Sequence, residues 1–133
     1  MKTVATATVT STPTHYRQQI QTGKHTLVAD EPTDAGGLDA GPAPYDYLLA
    51  GLGACTTITL QMYAERKGWN IGDVNVDLTL SKNKEGESRI ERIIHCSQPL
   101  TDEQWAKLLE IAGKTPVTLT LKAGAVIESR RAD

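Results

Sequence analysis

A chain of 133 residues with 14 basic and 16 acidic side chains, a formal charge of −2, has the length of one domain with a buried core, and it lacks a basic cluster that would track a phosphate backbone or an anionic membrane. Nucleic acid and membrane are therefore not expected as partners. Two cysteines and no apolar leader of the export type exclude a disulfide scaffold, so the expectation is a single domain over 1–133, cytoplasmic, with both thiols reduced.

In "TVATATVT", Ala5, Ala7 and Val9 alternate with Thr6, Thr8 and Thr10, the period of a half-buried strand. "HYRQQIQTGKHTLVAD" predicts a hairpin, with Tyr16, Gln18 and Ile20 on one face and a turn at Thr22-Gly23-Lys24. The stretch "EPTDAGGLDAGPAP" is too dense in glycine and proline for regular structure and reads as a loop leading into a long helix. Pro44 suits the first turn of that helix, Asp46 suits its positive end, and Gly68 ends it. Along it Leu48, Leu52, Cys55, Thr59 and Met62 recur at helical spacing, which predicts one face with Cys55 at its centre. Gly51 and Gly53 each cost about 1 kcal/mol relative to alanine, so something is expected to approach the backbone there. A second helix, or the same helix of a symmetry mate, would leave a crevice beside Cys55.

"DVNVDLTLSK" and "SRIERIIHCSQ" flank the turn "NKEGE" and predict a second hairpin with Val74, Val76, Leu78 and Leu80 on one face. "TDEQWAKLLEIAGK" opens with the capping box Thr101-x-x-Gln104 and places Trp105, Leu108, Leu109 and Ile111 at apolar positions of a second helix. "TPVTLTL" reads as a short helical turn capped by Thr115 with Pro116 in its first position, and "AVIESRR" as a last strand. This order predicts an α+β fold, antiparallel hairpins covered by helices on one face. A long helix that is apolar over nearly its whole length predicts a partner subunit, hence a homodimer.

Cys55 reads in two ways, as a small core hydrophobe or as a reactive thiol. It lies about three turns into its helix, beyond the reach of the helix dipole, so activation requires a cation; Arg17, Lys24, His25 and Lys114 are candidates. Asp46 is a dipole complement that could also orient such a cation, while Tyr45, Leu52 and Met62 are expected to line a pocket. Cys96 follows His95 on a strand, so the two side chains face opposite ways, and Cys96 reads as structural. No close spacing joins His15, His25, His95 and the two cysteines as metal ligands, and no Ser-His-Asp motif, phosphate loop or dinucleotide fingerprint occurs. No metal or other cofactor is expected.

"HTLVADEP", "GGLDAGPAPYDYLLAGLGACTTITLQMYAERKGW" and "LTDEQWAKLLEIAGKTPV" together resemble the OsmC-like family, which includes the osmotically inducible protein C and organic hydroperoxide resistance groups. The resemblance runs over nearly the whole chain. It implies antiparallel sheets packed around a long central helix in an intertwined homodimer, and reduction of organic hydroperoxides by a pair of cysteines. Cys55 matches the family's peroxide-attacking cysteine, and Arg17 its activating arginine from the N-terminal strand region. The second cysteine opens a "CPV"-like motif that here reads "TPV", so Thr115 stands at the resolving position, where a hydroxyl forms no disulfide. Tyr45 follows the helix-opening proline where the hydroperoxide resistance group has a glutamate; the acid comes one residue later, as Asp46. Two functions follow. One is a one-cysteine peroxidase, with Cys55 as nucleophile, Arg17 and Asp46 supporting it, and an external thiol reductant. The other is a non-enzymatic protein binding a small hydrophobic or lipid-like ligand at the dimer interface.

Overall fold

The computed structural model of the chain describes residues 1–132, which divide into two compact units, one of Met1–Leu48 and one that begins at Leu49. In the first, strands β1 (Thr8–Ser11), β2 (Gln18–Thr22) and β3 (His25–Ala29) form an antiparallel sheet in the order β1-β2-β3. Thr22 pairs with His25, so Gly23 and Lys24 alone make the turn, and Gly23 takes the positive φ of 57° that such a hairpin requires. Val9, Ile20 and Leu27 stand in register across the three strands. The first strand is shorter than its sequence suggests: regular pairing begins only at Thr8, although the Thr22 hydroxyl donates to the Thr6 carbonyl at 2.9 Å.

The glycine- and proline-rich segment that follows contains one regular piece, a 3-10 turn at Thr33–Ala35. It is organised by Asp30, whose buried carboxylate accepts three backbone N–H groups: Glu31 at 2.8 Å, Leu38 at 3.2 Å and Ala40 at 3.1 Å. Gly37 lies against the Glu31 carbonyl, where a Cβ would collide with it. Helix α1 (Pro44–Lys67) then starts with the Asp46 carboxylate accepting the Ala43 N–H at 2.9 Å and the Tyr47 hydroxyl donating to the Val28 carbonyl.

The second unit carries the rest of α1, which ends at Gly68 (φ 69°), the hairpin β4 (Val74–Lys82) and β5 (Ser88–Cys96), and helices α2 (Asp102–Ala112) and α3 (Pro116–Ala123). The hairpin runs in unbroken register from Val74 opposite Cys96 to Lys82 opposite Ser88. One face of β4, Val74, Val76, Leu78 and Leu80, is half-buried, as its alternation predicts. The capping box of α2 is complete, with the Gln104 N–H donating to the Thr101 hydroxyl and the Thr101 N–H to the Gln104 side chain. The core joins Leu60 and Ala64 of α1, Ile71, and Leu108 and Ala112 of α2, with Tyr63, Trp69, Val74, Ile94 and Cys96 packed around them.

Three local expectations change. The buried face of α1 is Leu52, Gly53, Thr56, Leu60 and Ala64, which shares only Leu52 with the row of Leu48, Leu52, Cys55, Thr59 and Met62; the helix is apolar on both sides, so periodicity did not single out the inner one. The helical turn after Thr115 grows into the eight residues of α3, and the Thr115 hydroxyl, at its N-cap, makes no capping bond to the helix backbone. The last expected strand is absent. Residues 125–132 lie in no regular element, with Val126 and Ile127 exposed, because no described strand offers that segment a ladder of hydrogen bonds. The architecture is α+β, as the element order predicts.

Candidate functional site

Cys55 is half-exposed on α1, and the residue after it is wholly enclosed. The Thr56 hydroxyl donates to the Leu52 carbonyl one turn back at 2.7 Å and accepts from Nη1 of Arg92 at 2.9 Å. Arg92 comes from β5, opposite Leu78, in the half-buried row Ile90, Arg92, Ile94 and Cys96. Its Nη1 also donates to the hydroxyl of Thr118 on α3, at 3.0 Å. Thr118 in turn shares a 2.6 Å hydrogen bond with the hydroxyl of Thr115, which is 1% exposed. A single nitrogen of Arg92 thereby ties α1 to α3.

The electrostatics of this cluster are one-sided. Among the described residues Arg92 forms no salt bridge with a carboxylate. Burial draws its guanidinium below the ordinary arginine range, and the nearby Cys55 sulfur, in its charged form, pushes the other way. The two groups are thus within electrostatic reach of one another.

The residues singled out from the sequence divide between the units. Arg17 and Asp46 belong to the first, where exposed Arg17 acts through its charge on Asp30 and Asp46 holds the start of α1. Tyr45 is an exposed residue of the same unit. In the second unit Leu52 is buried and Met62 is 57% exposed. Lys114 is engaged with Glu110 at 3.4 Å. Cys96 packs on the core, where burial pushes its thiol above the ordinary cysteine range. Gly53 meets a neighbour, as its cost implies, but the neighbour is Leu78 of β4, whose Cδ1 would lie 2.9 Å from an added Cβ; Gly51 faces open space.

Arg92, Thr56 and Thr118 escaped the reading of the sequence. A signal was present in "RIERIIHC": strict alternation puts Arg92 in the same row as Ile90 and Ile94, and a cation in an inward apolar row requires polar partners. Thr56 and Thr118 gave no comparable signal, since their role depends on which helices meet β5. Among the described residues no three His, Cys, Asp or Glu side chains gather as metal ligands, and no helix is long and apolar enough to cross a membrane.

The fold and the site define an α+β protein in which a half-exposed cysteine on a long helix precedes a threonine bonded to a half-buried arginine of the β4–β5 hairpin. The chain belongs to the OsmC-like protein family, whose model matches residues 36–130. Solved structures agree at the level of the fold. A Psychrobacter arcticus protein assigned to osmotic stress induction and detoxification response superimposes with a TM-score of 0.77 at 18% identity, over 90% of each chain. An OsmC-like protein of Mycoplasma pneumoniae gives 0.72 at 19% identity, over 92% of this chain and 89% of its own. The organic hydroperoxide resistance protein OhrB of Bacillus subtilis gives 0.60 at 20% identity, over 89% and 90%. No curated protein matches the sequence.

Proposed function

We propose that the chain is a thiol peroxidase that reduces organic hydroperoxides with Cys55 alone, working in the cytoplasm as a homodimer in defence against oxidative stress. The observation that carries this reading is a half-exposed thiol one residue from a threonine that anchors a carboxylate-free guanidinium. Membership of the OsmC-like family and a fold shared with a hydroperoxide resistance protein support it. In the reaction the Cys55 thiolate attacks the outer oxygen of the hydroperoxide, the O–O bond breaks, and the alkoxide leaves and takes a proton to become the alcohol. The peroxide gains two electrons and the sulfur loses two, ending as a sulfenic acid. An external thiol then condenses with that sulfenic acid, releasing water, and a second external thiol displaces Cys55 from the mixed disulfide, restoring it. Internal resolution is not part of the scheme, because position 115 carries a hydroxyl and Cys96 is packed on the core.

The missing second thiol also favours a rival, in which Cys55 lines an apolar crevice that holds a small hydrophobic ligand. Turnover of cumene hydroperoxide coupled to dithiothreitol separates the two. Wild type should exceed Cys55→Ser clearly, and dimedone should trap a sulfenic acid on Cys55 in peroxide-treated protein. Turnover equal to that of Cys55→Ser, with no adduct, would leave the ligand-binding reading.

A further inference from the structure

We infer that Arg92 is the cation that serves Cys55, and that the buried hydroxyls of Thr56, Thr118 and Thr115 form the cradle that aims it, which makes Thr115 a positioning residue. The inference rests on reading Cys55 as a nucleophile, and it names the residues that prepare the thiol. Arginine in a row with Ile90 and Ile94 is costly unless its hydrogens are taken up. Thr56 at 2.9 Å and Thr118 at 3.0 Å occupy both hydrogens of Nη1, which fixes the plane of the guanidinium and leaves its remaining N–H donors uncommitted to these two partners. Both partners are neutral. The hydrogen bonds therefore hold the group in place without cancelling its charge, and among the described residues no carboxylate in a salt bridge cancels it either.

The placement of the anchors supplies direction. Thr56 is the immediate neighbour of Cys55 on α1, so the guanidinium is fastened one residue from the sulfur. Cys55 lies too far along the helix for the dipole to stabilise a thiolate, and a fixed positive charge does what the dipole cannot. Thr115 completes the cradle indirectly. Its hydroxyl does not cap α3; it is spent on Thr118, which holds Arg92. The residue at the resolving position thus belongs to the activation of Cys55, which fits a thiol reduced by an external partner.

The test is the pH profile of iodoacetamide alkylation of Cys55, read by mass spectrometry, with Cys96 as internal reference. Arg92→Gln should slow alkylation of Cys55 at pH 7 about tenfold and move the profile to higher pH, leaving Cys96 unchanged. Arg92→Lys should recover part of the rate, since lysine keeps the charge and loses the fork. Thr115→Val and Thr118→Val should each slow it about threefold, and Thr115→Ser should restore the wild-type profile. An unmoved profile in folded Arg92→Gln overturns the inference. If circular dichroism shows that variant unfolded, the two valine variants, which conserve volume, decide in its place, and unmoved profiles in both overturn it. Profiles that move as expected in a protein without peroxidase turnover uphold Arg92 and sink the peroxidase reading. Turnover with an unmoved profile does the reverse.

Discussion

Asp30 governs the first unit through three backbone N–H groups, and its chemistry makes a prediction about acid. The hydrogen bond from Ala40 is the largest influence on its carboxyl and lowers it below the ordinary aspartate value of 3.8; those from Glu31 and Leu38 and the charge of Arg17 act the same way, against the effect of burial. A carboxylate that ionises more readily folded than unfolded stabilises the fold fully above its unfolded value, and that contribution is lost as the pH falls through the lower, folded one. The gap in thermal midpoint between wild type and Asp30→Asn should therefore be complete above about pH 5 and close as the pH drops below 3.8. A gap that stayed constant into strong acid would show that the charge of Asp30 does not hold this loop. The sequence "DEP" reads only as a turn. What the carboxylate does depends on Leu38 and Ala40, eight and ten residues further on, arriving with their N–H groups pointed at it.

At the scale of elements, α2 and α1 differ in how openly their sequences declare the inner face. The capping box of α2 is a local device, satisfied by residues three apart, and it forms as read. Its apolar positions sort only when packed: Leu108 is 0% exposed and Leu109 is 56% exposed, although both qualify by type. Leu108→Ala should cost about 2–5 kcal/mol by the loss of a packed core side chain, and Leu109→Ala should stay within about 0.5 kcal/mol. Urea unfolding of the two variants measures this, and equal losses would contradict the packing. In α1 the ambiguity is greater, since Thr56 is polar and enclosed, while the apolar Ile58 and Met62 are exposed. The arginine on β5 reverses the assignment, because the buried polar side chain of Thr56 is supplied with a donor.

On the scale of the whole molecule, the second unit leaves a row on α1, Gly51, Cys55, Ile58 and Met62, whose spacing of four, three and four residues matches the seam of two packed helices. A methyl at Gly51 would meet nothing in this chain, and Ile58 is 48% exposed. The proposed homodimer accounts for that row, with small Gly51 admitting a second helix and Cys55 beside the contact. Sedimentation at micromolar concentration should give a dimer for wild type and a shift toward folded monomer for Ile58→Glu, since an unpaired buried charge is strongly unfavourable in such a contact. A wild-type monomer would end the dimer reading.

The sequence by itself determined what is local. Period-two runs, the Gly23 turn, Pro44, Gly68 and the Thr101 box place most of the strands and helices, and the "LGACT" context identifies Cys55 and the family. Tertiary structure alone decided which face of α1 turns inward, that Asp30 anchors a loop, and that Arg92 is fastened to Thr56, the neighbour of Cys55 in the chain. The last of these joins residues 36 and 26 positions apart, Thr56 and Thr118 to Arg92. No periodicity carries such information. It arises where Arg92 of β5 meets Thr56 of α1 and Thr118 of α3, and the desolvation cost of one guanidinium selects the hydroxyls that take up its hydrogens.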